Sequence, residues 1–222
     1  MSLAAFSFSF ILSGQTKDIY TNPDFDSLTR DHKVIAILPF EVQLRLRPRQ
    51  MRKLEPEDLE KLEIAEGRAV QNALHTYFLK QKDSCKVSFQ DISKTNALLA
   101  GVGWTTDSLR SKNKARICRQ LQVDGIITGT VNTRKLMSDE AAAALHALDI
   151  FAAVITLGTY WGGGSGPTNA GNCMIKLYGA QSGELMWQYE KSLSRGLGSD
   201  TQSVINAMMR KASKKFPYEV IK

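Results

Sequence analysis

The chain has 222 residues, 43% hydrophobic and 23% charged, which is enough apolar mass for one buried core and excludes a disordered protein. Lys and Arg exceed Asp and Glu by 29 − 22 = 7, an excess suited to phosphate-rich surfaces: nucleic acid, anionic lipid or lipopolysaccharide. Cys85, Cys118 and Cys173 match no zinc or CxxC spacing, so they are either three buried small hydrophobes or one disulfide plus a free thiol.

The first element is an apolar run, Leu3 to Leu12, closed by Ser13-Gly14-Gln15. It reads as the core and small-residue cleavage region of a signal peptide, so residues 1–15 are expected to be removed and the chain exported. Ten such residues are too few to span a bilayer as a helix. No Cys follows to accept a lipid, so a soluble periplasmic form is expected. Residues 16–32, with Asn22-Pro23-Asp24, read as a polar, exposed lead-in, and a single α/β domain is expected over 33–222.

Val34 to Phe40 is an almost unbroken apolar run, suited to a strand covered on both faces, with Pro39 at its end or at an edge. Pro56-Glu57-Asp58 then places a proline and two acids in a first helical turn. Leu59, Leu62, Ala65, Ala69, Ala73 and Tyr77, with neighbouring Val70, Leu74 and Phe78, give that helix an apolar face to about Lys80, and Gly67 inside it suggests close packing.

Cys85 to Gln90 reads as a short strand. Asp91 caps a helix through Ala100, and Thr105 or Thr106 caps another through Gln120. Asp124-Gly125 opens a β-branched strand through Val131, so residues 33–131 alternate strand and helix and favour parallel pairing. Ser138 caps an Ala-rich helix to about Leu157, followed by a glycine loop from Tyr160 to Pro167. Strands at 172–180 and 184–193 meet across Ser182-Gly183 as an antiparallel hairpin. A last helix, with Ser199 and Gln202 as a capping box, carries Val204, Ile205, Met208, Met209 and Ala212 and stops at Phe216-Pro217. The expected fold is α/β: a mixed sheet with helices packed on it, a βαβαβ-like first half, and a C-terminal antiparallel hairpin plus helix.

Three phrases stand in a telling order: Ile35-Ala36-Ile37-Leu38-Pro39-Phe40, then Leu121-Gln122-Val123-Asp124-Gly125-Ile126-Ile127-Thr128-Gly129, then Tyr178-Gly179-Ala180-Gln181-Ser182-Gly183-Glu184-Leu185-Met186-Trp187. Together they resemble the α/β module shared by the TolB amino-terminal domain and the periplasmic domain of the curli secretion channel CsgG, over roughly residues 33–216. The resemblance implies a non-enzymatic assembly or scaffolding module of the bacterial periplasm, working through protein contacts at the outer membrane or peptidoglycan. It brings no catalytic residues. Neither the barrel hairpins of the channel nor the propeller repeats of TolB are present.

Two contact regions stand out. Arg45, Arg47, Arg49, Arg52 and Lys53 place five cations in nine positions, as an edge for anionic lipid, glycan or an acidic protein partner, or simply as a solvated edge. The helix over 139–157 is apolar on most sides, and with Tyr160 and Trp161 beside it, it is buried either in the core or against a partner or second copy. An alternative hydrolase reading uses His146, Asp149 and Ser165, without the GxSxG elbow. The loop Gly162 to Gly166 lacks the Lys-Ser/Thr ending of a nucleotide loop, and His32 and His75 have no ligand partners at metal-binding spacing, so no cofactor or metal is expected. Retention of residues 1–15 would instead favour a cytoplasmic nucleic-acid-binding protein.

Overall fold

A computed structural model describes residues 17–45, 55–134, 170–194 and 201–218. Seven strands form one mixed sheet: β1 (Lys17–Thr21), β2 (Val34–Ile37), β3 (Glu41–Arg45), β4 (Ser88–Phe89), β5 (Gly125–Arg134), β6 (Ala170–Gly179) and β7 (Leu185–Ser194). The order is β1-β7-β6-β5-β2-β4, with β3 also on β5. β2 pairs with β4 and β5 in parallel, β3 pairs with β5 in parallel, and β5, β6, β7 and β1 are successively antiparallel. The parallel first half and antiparallel second half follow the alternation and the hairpin expected from the sequence.

Helices cover both sides. On one face α2 (Pro56–Leu79) and α6 (Thr201–Ser213) bury Leu62, Val70, Leu74, Phe78, Ile205, Met208 and Met209 against Ile35, Ile37, Ile127, Ile175, Leu177 and Trp187. On the other, α3 (Ile92–Gly101), α4 (Thr106–Ser111) and α5 (Lys114–Leu121) bury Leu99, Leu109, Ile117 and Leu121 against Ala36, Leu38 and Ile126. β2 is therefore apolar at every position because both of its faces are covered. Among the described residues, helices cover the second face over β2, the start of β5 and the end of β6. Beyond that, a row of polar side chains crosses four strands: Thr128, Lys176, Gln188 and Tyr20. Among the described residues no helix is long and apolar enough to cross a membrane.

Phe40 ties the layers together. Pro39 ends β2, the chain bends, and β3 resumes alongside the far half of β5. At the bend α2 comes close enough for Phe40 N–H to donate to the Gly67 carbonyl at 3.2 Å. A Cβ at Gly67 would overlap the Phe40 carbonyl oxygen, and one at Gly129 would overlap the Phe40 ring.

Two expectations need correction. Residues 17–32, though mostly exposed, form elements of the fold: β1 pairs with β7 from Lys17↔Lys191 to Thr21↔Trp187, and α1 (Phe25–Leu28) buries Phe25 against Tyr218. The cause is long-range. The outer edge of β7 leaves backbone donors and acceptors unpaired, and a polar strand with one side in water is sufficient to satisfy them. Asn22 closes the pairing, donating its N–H to Met186 O and its side-chain amide to Leu185 O. The single helix expected through Gln120 is in fact α4 and α5, broken at Lys112, whose ψ of 145° is extended. Asn113 restarts the helix by accepting the Arg116 N–H at 3.1 Å.

α5 ends in a Schellman closure: Val123 N–H reaches Cys118 O, and Gln122 N–H reaches Arg119 O, with Gln122 left-handed at φ 57°. A Cβ in that region is unfavourable, whereas glycine is not penalised there. Gln122→Gly is expected to stabilise the fold by roughly 0.5–1 kcal/mol once the extra entropy of unfolded glycine is subtracted. Urea unfolding checks this, and a lower midpoint would contradict the strain.

Candidate binding surface

Most residues singled out in the sequence as contacts or catalysts lie outside the described residues: Arg47, Arg49, Arg52, Lys53, Tyr160, Trp161, His146, Asp149 and Ser165. Of Arg45 the backbone is placed, closing β3 opposite Arg134. His32 and His75 do not come together with other ligands. His32 Nδ1 meets the Tyr218 hydroxyl, and burial lowers the pKa of both histidines. Among the described residues no group of three or more His, Cys, Asp or Glu is arranged to hold a metal.

The thiols of Cys118 and Cys173 are unpaired and fully enclosed. Burial pushes Cys118 up to about 12 and Cys173 upward as well, so both remain protonated, the opposite of an activated nucleophile. Tyr189 is likewise raised to about 12 by burial. These shifts come first from burial, and so mark packing.

The charged surface that the described residues do assemble lies along α4 and α5. The segment 110–119 holds Arg110, Lys112, Lys114, Arg116 and Arg119, five cations in ten positions, about the density of the 45–53 run. That count alone would have flagged it in the sequence, but the segment reads first as the solvated face of a helix. Its placement begins with α3, which ends in a Schellman motif: Trp104 N–H donates to Leu99 O, Gly103 N–H to Ala100 O, and Gly103 takes φ 67°. The motif brings Trp104 down onto the cluster that contains Leu99. It also leaves Val102 at the turn's tip, 40% exposed, between two glycines around which a Cβ would meet nothing.

Two cations then lie over the indole ring, Lys112 Nζ at 4.9 Å and Arg116 Cζ at 5.9 Å from its centroid. Neither has a carboxylate within 4 Å among the described residues. Arg110, by contrast, is paired with Glu41 at 3.2 Å. Lys114 is committed structurally: its Nζ donates to the Leu109 and Arg110 carbonyls at 2.8 and 3.1 Å, at the negative end of α4. Desolvation, and secondly the nearby Lys176 charge, lower its pKa. Lys114 also lies 5.9 Å over the Tyr178 ring.

The hairpin turn locks this arrangement. Gly183, at φ 71°, sits so close to α5 that a Cβ there would be 2.9 Å from Ala115 N. The turn therefore holds the first residues of α5 against β6. What the surface offers chemically is a pair of unneutralised cations backed by a half-buried indole, next to one exposed aliphatic side chain.

No family model matches this chain. No curated protein matches its sequence. Among solved structures it is similar to the PelC dodecamer from Paraburkholderia phytofirmans, at 10% identity and TM-score 0.45, over 94% of this chain and 100% of that one. It is similar to lipoprotein GNA1162 from Neisseria meningitidis at 9% identity and TM-score 0.46, over 82% and 96% of the two chains. The C-terminal domain of LpoB from Salmonella enterica aligns at 10% identity and TM-score 0.32, over 78% and 94%. Likenesses at this level identify no function.

Proposed function

We propose that this chain is a non-enzymatic binding module of the bacterial cell envelope, exported to the periplasm, which supports envelope or outer-membrane assembly by docking on anionic surfaces or envelope proteins. The observation that carries the reading is the α4–α5 surface, where Lys112 and Arg116 stand over Trp104 without acidic partners among the described residues. Charges left unneutralised in this way favour an external anion. Two further features support it. The apolar run Leu3–Leu12 with Ser13-Gly14-Gln15 has the form of an export signal. The thiols whose pKa burial raises, Cys118 and Cys173, are unsuited to nucleophilic work.

Amino-terminal sequencing of the protein from its native host, with fractionation of cytoplasm, periplasm and outer membrane, tests the proposal. The expected result is a mature chain beginning near Gln15 or Thr16 in the periplasm or on the outer membrane. An intact cytoplasmic chain that binds nucleic acid with steep salt dependence would overturn it.

A further inference from the structure

We infer that the turn Gly101–Trp104, together with Lys112 and Arg116, is a contact for a bilayer surface carrying anionic phospholipid headgroups. The inference rests on the binding-module reading and names the partner of that same surface.

Three observations converge on it. Among the described residues Val102 is one of the few exposed large hydrophobics, and it sits at a tip where a Cβ on either adjacent glycine would meet nothing within 4 Å. Trp104 lies directly behind the tip, half-buried, with its body on the α3–α5 core. Lys112 and Arg116 lie over the ring at 4.9 and 5.9 Å and have no acidic partner among the described residues. Cations, an indole at the polar boundary and an apolar tip match, in that order, the layers met on entering a lipid interface from water: phosphate first, then glycerol, then acyl chain.

The alternatives account for less. For single-stranded nucleic acid an open aromatic face is needed to stack bases, whereas the Trp104 ring already has two cations over it. An acidic protein groove would use the cations but leaves the exposed Val102 without a role. Arg119, also exposed, adds charge on the same helix.

The test is sedimentation of the full chain with vesicles of phosphatidylglycerol in phosphatidylethanolamine, compared with phosphatidylcholine vesicles. The wild-type chain is expected to bind the anionic vesicles, to release as salt is raised, and to leave phosphatidylcholine unbound. Lys112→Gln/Arg116→Gln is expected to weaken binding roughly thirtyfold, at about fivefold per cation near the surface. Val102→Asp should weaken it at least about tenfold. Lys214→Gln/Lys215→Gln removes the same two charges beyond α6, which packs on the opposite face of the sheet, and is expected to change binding less than about threefold. Thermal midpoints equal to wild type would show that the variants fold.

Equal loss in both lysine-containing pairs would overturn the inference in favour of bulk net charge. Loss confined to Arg45→Glu/Arg47→Glu/Arg49→Glu would overturn it in favour of the 45–53 run. A wild-type chain that fractionates with the envelope yet binds no vesicle would overturn the lipid assignment and leave the envelope-module reading standing. A cytoplasmic chain that binds anionic vesicles through Lys112 and Arg116 would do the reverse.

Discussion

Gly67→Ala is expected to lower stability by about 3 kcal/mol, at the upper end of the cost of overpacking a tight contact. The sign is the informative part. In an ordinary helix interior the same change gains about 1 kcal/mol, because alanine is the better helix former. Here the added Cβ would overlap the Phe40 carbonyl oxygen, a backbone atom fixed between β2 and β3, so no side chain can swing away to accommodate it. For a chain of this length the thermal midpoint should fall by roughly 6–12 °C. A midpoint that rises would mean α2 does not press on the bend at Phe40, and the account of how the two halves of the sheet are joined would fail with it.

Trp187→Ala is expected to cost about 3–5 kcal/mol, a large share of the 5–15 kcal/mol that typically holds a domain folded. Trp187 is 1% exposed, stacks at 6.0 Å on Tyr189, and meets Phe216 edge-on at 5.7 Å. Through Phe216 it reaches Phe78 at 4.6 Å, so the indole joins β7, the residues after α6, and α2 in one aromatic stack. Trp187→Phe keeps a ring in place and should lose much less. Urea unfolding of the two variants separates these outcomes, and a loss below about 1 kcal/mol for the alanine variant would show that the stack is not a keystone of the core.

The parts of the fold legible in the sequence are those whose pattern is enforced by burial on a known side. β2 is apolar throughout because it is sandwiched, α2 repeats every three to four residues because one face meets the sheet, and the β6–β7 hairpin announces its turn with Ser182-Gly183. β1 was illegible because its stability lies in a partner elsewhere. A strand of Lys, Asp and Thr around Ile19 and Tyr20 has no periodic apolar signal, and what orders it is the open edge of β7. The break at Lys112 is readable in part, since Asn113 is a strong cap, but the helix formers on either side, Leu109-Arg110 and Lys114-Ala115-Arg116, hide the interruption. The binding surface was missed for a related reason. Lys112 and Arg116 look like helix solvation until the Schellman turn at Gly103 brings Trp104 beneath them, and that meeting depends on backbone bonds from Trp104 to Leu99 that composition does not encode.

β1 against β7 has a consequence in time. Lys17 pairs with Lys191, 191 − 17 = 174 positions later, so this seam of the sheet joins segments far apart along the chain. At the usual 5–20 residues per second of synthesis, β1 waits roughly 10–35 s before its partner strand exists. Helix α2 and strands β2 to β5 can associate meanwhile, but this seam closes only after β7 has been made. The chain is therefore a late finisher, with an unpaired β1 offered to whatever chaperone or neighbouring chain meets it during that interval.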